Sequence, residues 1–283
     1  MMKSTIGKVL AAAVAVVCTA TLAACGSSEG PNPNPSLVPG ASPGGSLRIG
    51  ISFDQPGLGM QDGDKYTGFD VITATYIAKS LGVTEENINW VEANPANREN
   101  LLASGAVDLV LSTYSITDER KQVVDFAGPY FVAHQDLLVR RNEEEITGPK
   151  TLDGRLLCSV TGTTSAALVK EQYKGKIELR EYARFSECVD ALNRSEVDAV
   201  TTDDVILAGF AAEPQYKGKL RVVGKGFSDE NYGVGIKKGN TELVEQVNTA
   251  LKEYIADGSW KAALDQTVRP SGYKIPAPPT PGS

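Results

Sequence analysis

A short apolar run, Val107-Asp108-Leu109-Val110-Leu111, passes straight into Ser112-Thr113-Tyr114-Ser115-Ile116-Thr117-Asp118-Glu119-Arg120. The run has the length and composition of a buried parallel strand. Thr117 is a good N-cap with Glu119 in the first turn, and Arg120-Lys121-Gln122-Val123-Val124 reads as the short helix that follows. Such a run commits the chain to an α/β sheet. Hydroxyls, backbone N–H groups and one arginine then lie at the C-terminal end of the strand, where open α/β sheets bind ligands. An arginine fork beside backbone donors suits a carboxylate, through two parallel charge-assisted bonds. The same residues also fit a plain helix cap with Arg120 on a solvated face, and the stretch alone is compatible with both.

The construction recurs. Residues 100–110 parallel residues 189–200: each is a helix end, a turn and a Val-Asp-x-Val strand (Val107 to Val110, Val197 to Val200) that finishes in hydroxyls. Two lobes of like construction would place both strand ends in one cleft. In the first half, strands are expected over 47–51 and 88–91 and helices over 68–81 and from 97 to near Gly105. Residues 53–59 read as a turn-rich loop. A strand over 135–140 leads away. A second series begins with a strand over 156–160, followed by Thr161-Gly162-Thr163-Thr164-Ser165 and a helix from Ala166. Strand, hydroxyls, glycine and helix N-terminus make an anion-friendly arrangement, because free N–H groups and the helix dipole converge there; a plain Thr/Ser cap has the same residues. Strand 197–204 ends in two carboxylates, Asp203 and Asp204, either of which can cap the helix over 205–212. Strands over 220–223 and 231–236 follow. The helix over 242–256 carries Leu243, Val247, Leu251 and Tyr254 on one face. The chain then crosses between lobes twice, near 135 and near 226, which makes a hinge.

Composition narrows the function. The chain of 283 residues has a formal net charge of −7, and loss of Lys3 and Lys8 with the first 24 residues takes it to −9. An acidic surface argues against nucleic acid. The single histidine, His134, reads as structural, and its isolation removes most histidine-based metal sites and nucleophile relays. Lys3 and Lys8 flank an apolar run, over 9–24, that is too short for a membrane span. It ends Leu22-Ala23-Ala24-Cys25-Gly26, which resembles the lipobox of bacterial lipoproteins and implies acylation of Cys25. The competing reading is ordinary secretory cleavage beside an incidental cysteine. With Cys18 removed and Cys25 acylated, Cys158 and Cys188 remain in an oxidising compartment and are expected to form a disulfide, the alternative being two buried thiols.

Taken together, Tyr66-Thr67-Gly68-Phe69-Asp70-Val71, Ser115-Ile116-Thr117-Asp118-Glu119-Arg120, Asp125-Phe126 with Pro129-Tyr130, Thr161 to Thr164, Asp203 and Tyr232-Gly233 resemble the family-3 solute-binding proteins of polar amino-acid ABC importers. The matches run in family order from Leu47 to Val268. Residues 53–59, Asn97-Arg98-Glu99 and the Cys158/Cys188 pair resemble the glutamate-binding lipoproteins among them. The resemblance implies an α/β, two-lobed periplasmic-binding-protein fold of type II, a flytrap with two crossover hinge strands. It implies that Arg120 grips an α-carboxylate, helped by Thr113 and Ser115 and by Thr163 and Thr164, that Asp203 takes the α-ammonium, and that Arg98 takes a side-chain carboxylate. Arg98 can also be read as a surface helix residue near Glu99. Where many members carry an aromatic platform, this chain has Asp54-Gln55-Pro56-Gly57, so Asp54 and Gln55 become secondary candidates for covering the ligand.

The expected organisation is a signal peptide over 1–24, a lipid-anchored linker rich in Pro, Gly and Ser over 25–46, one lobe from 47–134 with 227–269, a second from 135–226, and a disordered tail over 270–283. The expected function is capture of glutamate, or of aspartate, glutamine or asparagine, by a monomer tethered to the extracytoplasmic face of the cell membrane, for delivery to ABC permease subunits, with no cofactor, metal or catalysis. A ligand-sensing lipoprotein that signals to a membrane receptor would have the same site. A flytrap-fold dehydratase would need a general acid in the cleft, and no carboxylate in the sequence stands out for it.

Overall fold

A computed structural model describes residues 45–173 and 175–282. The signal segment, Cys25 and the linker as far as residue 44 lie outside the described residues. The first part of the chain forms β1 (Leu47–Ile51), β2 (Asp54–Gln55), β3 (Gly59–Asp62), β4 (Lys65–Thr67), α1 (Phe69–Ser80), β5 (Ile88–Glu92), α2 (Arg98–Ser104), β6 (Leu109–Val110), α3 (Asp118–Lys121) and β7 (Val124–Ala133). The second part forms β8 (Gln135–Arg140), β9 (Leu156–Val160), α4 (Thr164–Gln172), β10 (Glu178–Tyr182), α5 (Phe185–Asn193), β11 (Ala199–Asp203), α6 (Asp204–Ala212) and β12 (Leu220–Val222). The chain then returns as β13 (Glu230–Lys237), α7 (Thr241–Ala256) and α8 (Ser259–Thr267).

Two five-stranded sheets result, in the orders β5-β1-β6-β13-β7 and β10-β9-β11-β8-β12. In the first, β1 runs parallel to β5 and β6, and β13 runs antiparallel to β6 and β7. In the second, β9 runs parallel to β10 and β11, and β8 runs antiparallel to β11 and β12. The two sheets therefore share one topology. The repeated Val-Asp-x-Val segments supply β6 and β11, the third parallel strand of each. Passage between sheets occurs at His134 and again over 223–229. This is the two-lobed type II arrangement.

The strands are apolar because both faces are covered. Leu47, Ile49 and Ile51 of β1 are fully buried, as are Leu137, Leu138 and Val139 of β8, each such side chain stabilising by roughly 1.5–3 kcal/mol. Helix α7 buries Leu243, Val247, Leu251 and Tyr254, the face read from its periodicity. The expected disulfide is present between Cys158 of β9 and Cys188 of α5, with Cα atoms 5.6 Å apart.

Three expectations are corrected. Residues 53–59 are not a simple loop: β2, β3 and β4 form an antiparallel sheet, with Gly63-Asp64 as a two-residue turn between the paired Asp62 and Lys65. The Gly63-Asp64 turn dipeptide is in the sequence, but the strands are too short to show alternation. The helix expected over 120–124 lies instead at 118–121, and Val124 opens β7, because pairing with β13 along β7 overrides local helix propensity. The tail is packed: the Tyr273 hydroxyl donates to Asp204 Oδ1 at 3.0 Å, Ile275 packs against the core, and Gly282 N–H reaches the Gly128 carbonyl at 2.8 Å. Five prolines in this segment restrict the unfolded chain, so a few anchors suffice to order it.

Candidate ligand-binding site

The hydroxyl-rich segment after β6 is held from beneath. Thr113 adopts a left-handed backbone, φ 44°, uncommon for a β-branched residue. Its N–H donates to Asp70 Oδ2 at 3.0 Å and its hydroxyl to Gln55 Oε1 at 3.2 Å. The other Asp70 oxygen accepts from the Tyr130 hydroxyl at 2.8 Å. Burial pushes the Asp70 carboxyl up to about 7, against the pull of Tyr130, Thr113 and Arg98. Thr117 caps α3 by accepting from Arg120 N–H. Arg120 then turns back: Nη1 donates to the Ser115 carbonyl at 2.7 Å and Nη2 crosses to the Gly162 carbonyl of the second lobe at 3.0 Å. Nε lies 3.6 Å from Glu99. Thr117 thus caps α3 as expected, but Arg120 does not lie on a solvated face: its side chain spans the two lobes through backbone carbonyls.

Arg98 is not a surface residue; it is 2 % exposed. Its guanidinium lies over the Tyr114 ring at 4.0 Å, and that of Arg120 lies 5.1 Å from the same ring, so one aromatic supports two cations. Arg98 Nη1 donates to the Ser112 carbonyl at 2.9 Å, and Nε has no protein partner. Burial, then the neighbouring Arg120 charge, pushes Arg98 down to about 10. Glu99 and Asp203 act on it through space, but no carboxylate is in ion-pair contact with it; a buried cation without a direct partner is costly, and a bound anion would offset that cost.

Across the cleft, Asp203 ends β11 and is 4 % exposed. Its Oδ2 accepts from the Tyr232 hydroxyl at 2.5 Å. Burial and the nearby Glu230 push its carboxyl up to about 8, while Tyr232 and Arg98 hold it down. It stands at the N-cap position of α6 without capping it; Asp204 Oδ1 takes the Val205 N–H instead, at 2.8 Å. Arg98, Arg120 and Asp203 thus face one interlobe region rather than separate surfaces.

The α4 loop contributes differently from its hydroxyl-rich sequence. Thr163 Oγ1 caps α4 through Ala166 N–H and donates to the Val160 carbonyl, and Thr164 Oγ1 donates to Glu230 Oε2 at 3.0 Å. Both hydroxyls are engaged within the protein, and the loop meets Arg120 through the Gly162 carbonyl. Gly162, at φ 86°, must be glycine: a Cβ there would lie 2.6 Å from the Pro95 carbonyl oxygen. A cleft of about 640 Å³ is lined by Arg120, Gln135, Thr163, Thr164 and Glu230. A larger one, about 700 Å³, lies elsewhere, between His134, Asp204 and the tail at Tyr273, and holds none of the candidate residues. Asp54 is bound to α5 and Gln55 to Thr113.

The model for bacterial extracellular solute-binding proteins, family 3, matches residues 47–268. The chain belongs to this family. Among curated relatives of this solute-binding protein, a glutamate-binding protein GluB of Corynebacterium efficiens is 41 % identical, over 91 % of this chain and 89 % of that one. The glutamine-binding protein GlnH of Bacillus subtilis is 31 % identical, over 84 % and 89 %. Of solved structures, an ancestral arginine-binding protein bound to arginine superposes with a TM-score of 0.74 at 33 % identity, over 79 % of this chain and 98 % of that one. These relatives are solute-binding proteins rather than enzymes.

Four residues that contact the candidate site residues escaped the sequence reading: Asp70, Tyr114, Gln135 and Glu230. Asp70 and Tyr114 stand inside the quoted motifs without a visible role. Gln135 and Glu230 acquire theirs only from strand pairing at the crossings.

Proposed function

We propose that this protein is the extracytoplasmic amino-acid receptor of an ABC importer and that its ligand is glutamate. The observation that carries the reading is the buried Arg98 guanidinium on Tyr114, beside Arg120 and opposite Asp203. Two cations and one acid match two carboxylates and one ammonium. Arg120 takes the α-carboxylate with the Thr113–Ser115 segment and the backbone of the Thr163–Thr164 loop. Asp203 takes the ammonium and Arg98 the side-chain carboxylate. A ligand that touches both lobes favours the closed arrangement by its differential affinity. The receptor acts as a monomer that hands its ligand to permease subunits, tethered through acylated Cys25.

The test is titration calorimetry with glutamate, aspartate, glutamine and asparagine. Glutamate should bind tightest, and glutamine weaker by about 2 kcal/mol or more, because it leaves Arg98 buried without a carboxylate. Equal affinity for glutamate and glutamine overturns the role of Arg98; binding of none of the four overturns the amino-acid reading.

A further inference from the structure

The amino-acid reading leaves the ammonium with one named partner, and the fold supplies a second. Gln135 of β8 and Asp203 of β11 are direct cross-strand partners in antiparallel register. Residues so placed send their side chains to the same face of a sheet, with Cβ atoms about 4.5–5.5 Å apart. Both are buried, Gln135 at 1 % exposure. Each leaves one oxygen without a protein partner: Gln135 Oε1 and Asp203 Oδ1. The other terminal atom of each is fixed, Asp203 Oδ2 by Tyr232 and Gln135 Nε2 by donation to Glu230 Oε1 at 2.7 Å.

The amide therefore has one sensible orientation. Turning it over would set Oε1 against the Glu230 carboxylate, acceptor against acceptor. Glu230 is itself anchored, by the Ser228 hydroxyl on Oε1 and the Thr164 hydroxyl on Oε2, both at 3.0 Å. Two unpartnered acceptors on one buried face can be satisfied together by a ligand group with at least two N–H donors. An ammonium has three; a hydroxyl has one and a carboxylate none. Gln135, with Glu230, also lines the cleft that Arg120 lines, so its end of this face borders the proposed site.

We propose, resting on the amino-acid reading above, that Gln135 Oε1 accepts a hydrogen bond from the ligand's α-ammonium beside Asp203 Oδ1, with Glu230 as the positioning residue that keeps the amide oxygen turned to the ligand. A neutral amide adds an acceptor here without placing a third acid against Asp203 and Glu230. It also ties the ammonium to the residue that follows the first crossing, so recognition of an amino acid is coupled to the hinge.

The test uses the full chain and three ligands: glutamate, glutamine, and glutarate, which is glutamate without its ammonium. Gln135→Met should lower glutamate and glutamine affinity by the same factor, about tenfold or more, and leave glutarate, followed by ligand-observed NMR, unchanged. Glu230→Leu, which frees the amide to rotate, should give a smaller loss of the same pattern. Should the Met variant fail to fold, Gln135→Asn withdraws the oxygen by one methylene and is expected to behave alike. Unchanged glutamate binding in the variants, or an equal loss for glutarate, overturns the role of Gln135 while leaving the amino-acid reading intact. Failure of the unaltered protein to bind either amino acid overturns both.

Discussion

Asp54 Oδ2 lies 3.1 Å from both the backbone N and the hydroxyl of Ser186, so a residue of β2 in the first lobe sits on the N-terminus of α5 in the second. A carboxylate in the first turn of a helix meets free N–H groups and the positive end of the dipole. Arg184 pairs with Glu92 beside it, and Gly209 packs against the Pro56 carbonyl. These contacts close one rim of the cleft. Asp54→Ala should weaken closure by about 1–2 kcal/mol. Stopped-flow binding would show this as faster ligand dissociation, with the melting temperature of the unliganded protein little changed.

The two arginines should separate by ligand. Arg120→Ala is expected to cost about 2–5 kcal/mol for every amino acid bound, since it strands the α-carboxylate. Arg98→Met keeps much of the side-chain volume and removes a buried charge, so the unliganded protein should be no less stable. The same variant should lose glutamate affinity far more than glutamine affinity in calorimetry.

Asp203 should make both stability and binding depend on pH. Its folded value of about 8 stands above the unfolded value of about 4, so between these the native state holds the extra proton. The stability contribution is greatest below the unfolded value and declines as pH rises to about 8, where the decline ends. Asp70, at about 7, slopes the same way. Asp203→Asn should therefore raise the melting temperature of the unliganded protein more in alkaline than in acidic buffer while abolishing amino-acid binding. Because an ammonium selects the ionised carboxylate, binding near neutral pH should release close to one proton. Calorimetry in buffers of different ionisation enthalpy measures that release directly.

The disulfide spans a sequence separation of 30 and ties β9 to α5. In the chain-entropy picture a loop of this size is worth about 3–4 kcal/mol. Urea unfolding of the Cys158→Ala/Cys188→Ala double variant should show that loss. Its ligand affinity, by contrast, should stay near that of the unaltered protein.

Much of the site can be read from local signals. Thr117, Thr163 and the acids at the end of β11 stand where strand–turn–helix chemistry puts them, because capping and dipole effects depend on neighbours a few residues away. Arg98 and Arg120 could be named from the motifs but not separated in kind: that one is buried on Tyr114 and the other bridges to Gly162 follows from how α2 and α4 approach. The hydroxyls of Thr163 and Thr164 show the converse, being suited to an anion by type yet taken up by the α4 cap and by Glu230.

What the amino-acid sequence determined alone is most of the succession of strands and helices, the two matching half-patterns, the cysteine pair and the charge types at the strand ends. All are properties of short windows, set by periodicity and turn chemistry. Tertiary structure decided which of these residues meet: Gln135 opposite Asp203, Asp54 on α5, Tyr114 beneath two guanidinium groups, and Tyr273 against Asp204. Those meetings depend on strand register and on how one lobe rests on the other. Register and docking are fixed by burying whole faces at once, a free-energy balance to which no single local segment holds the key.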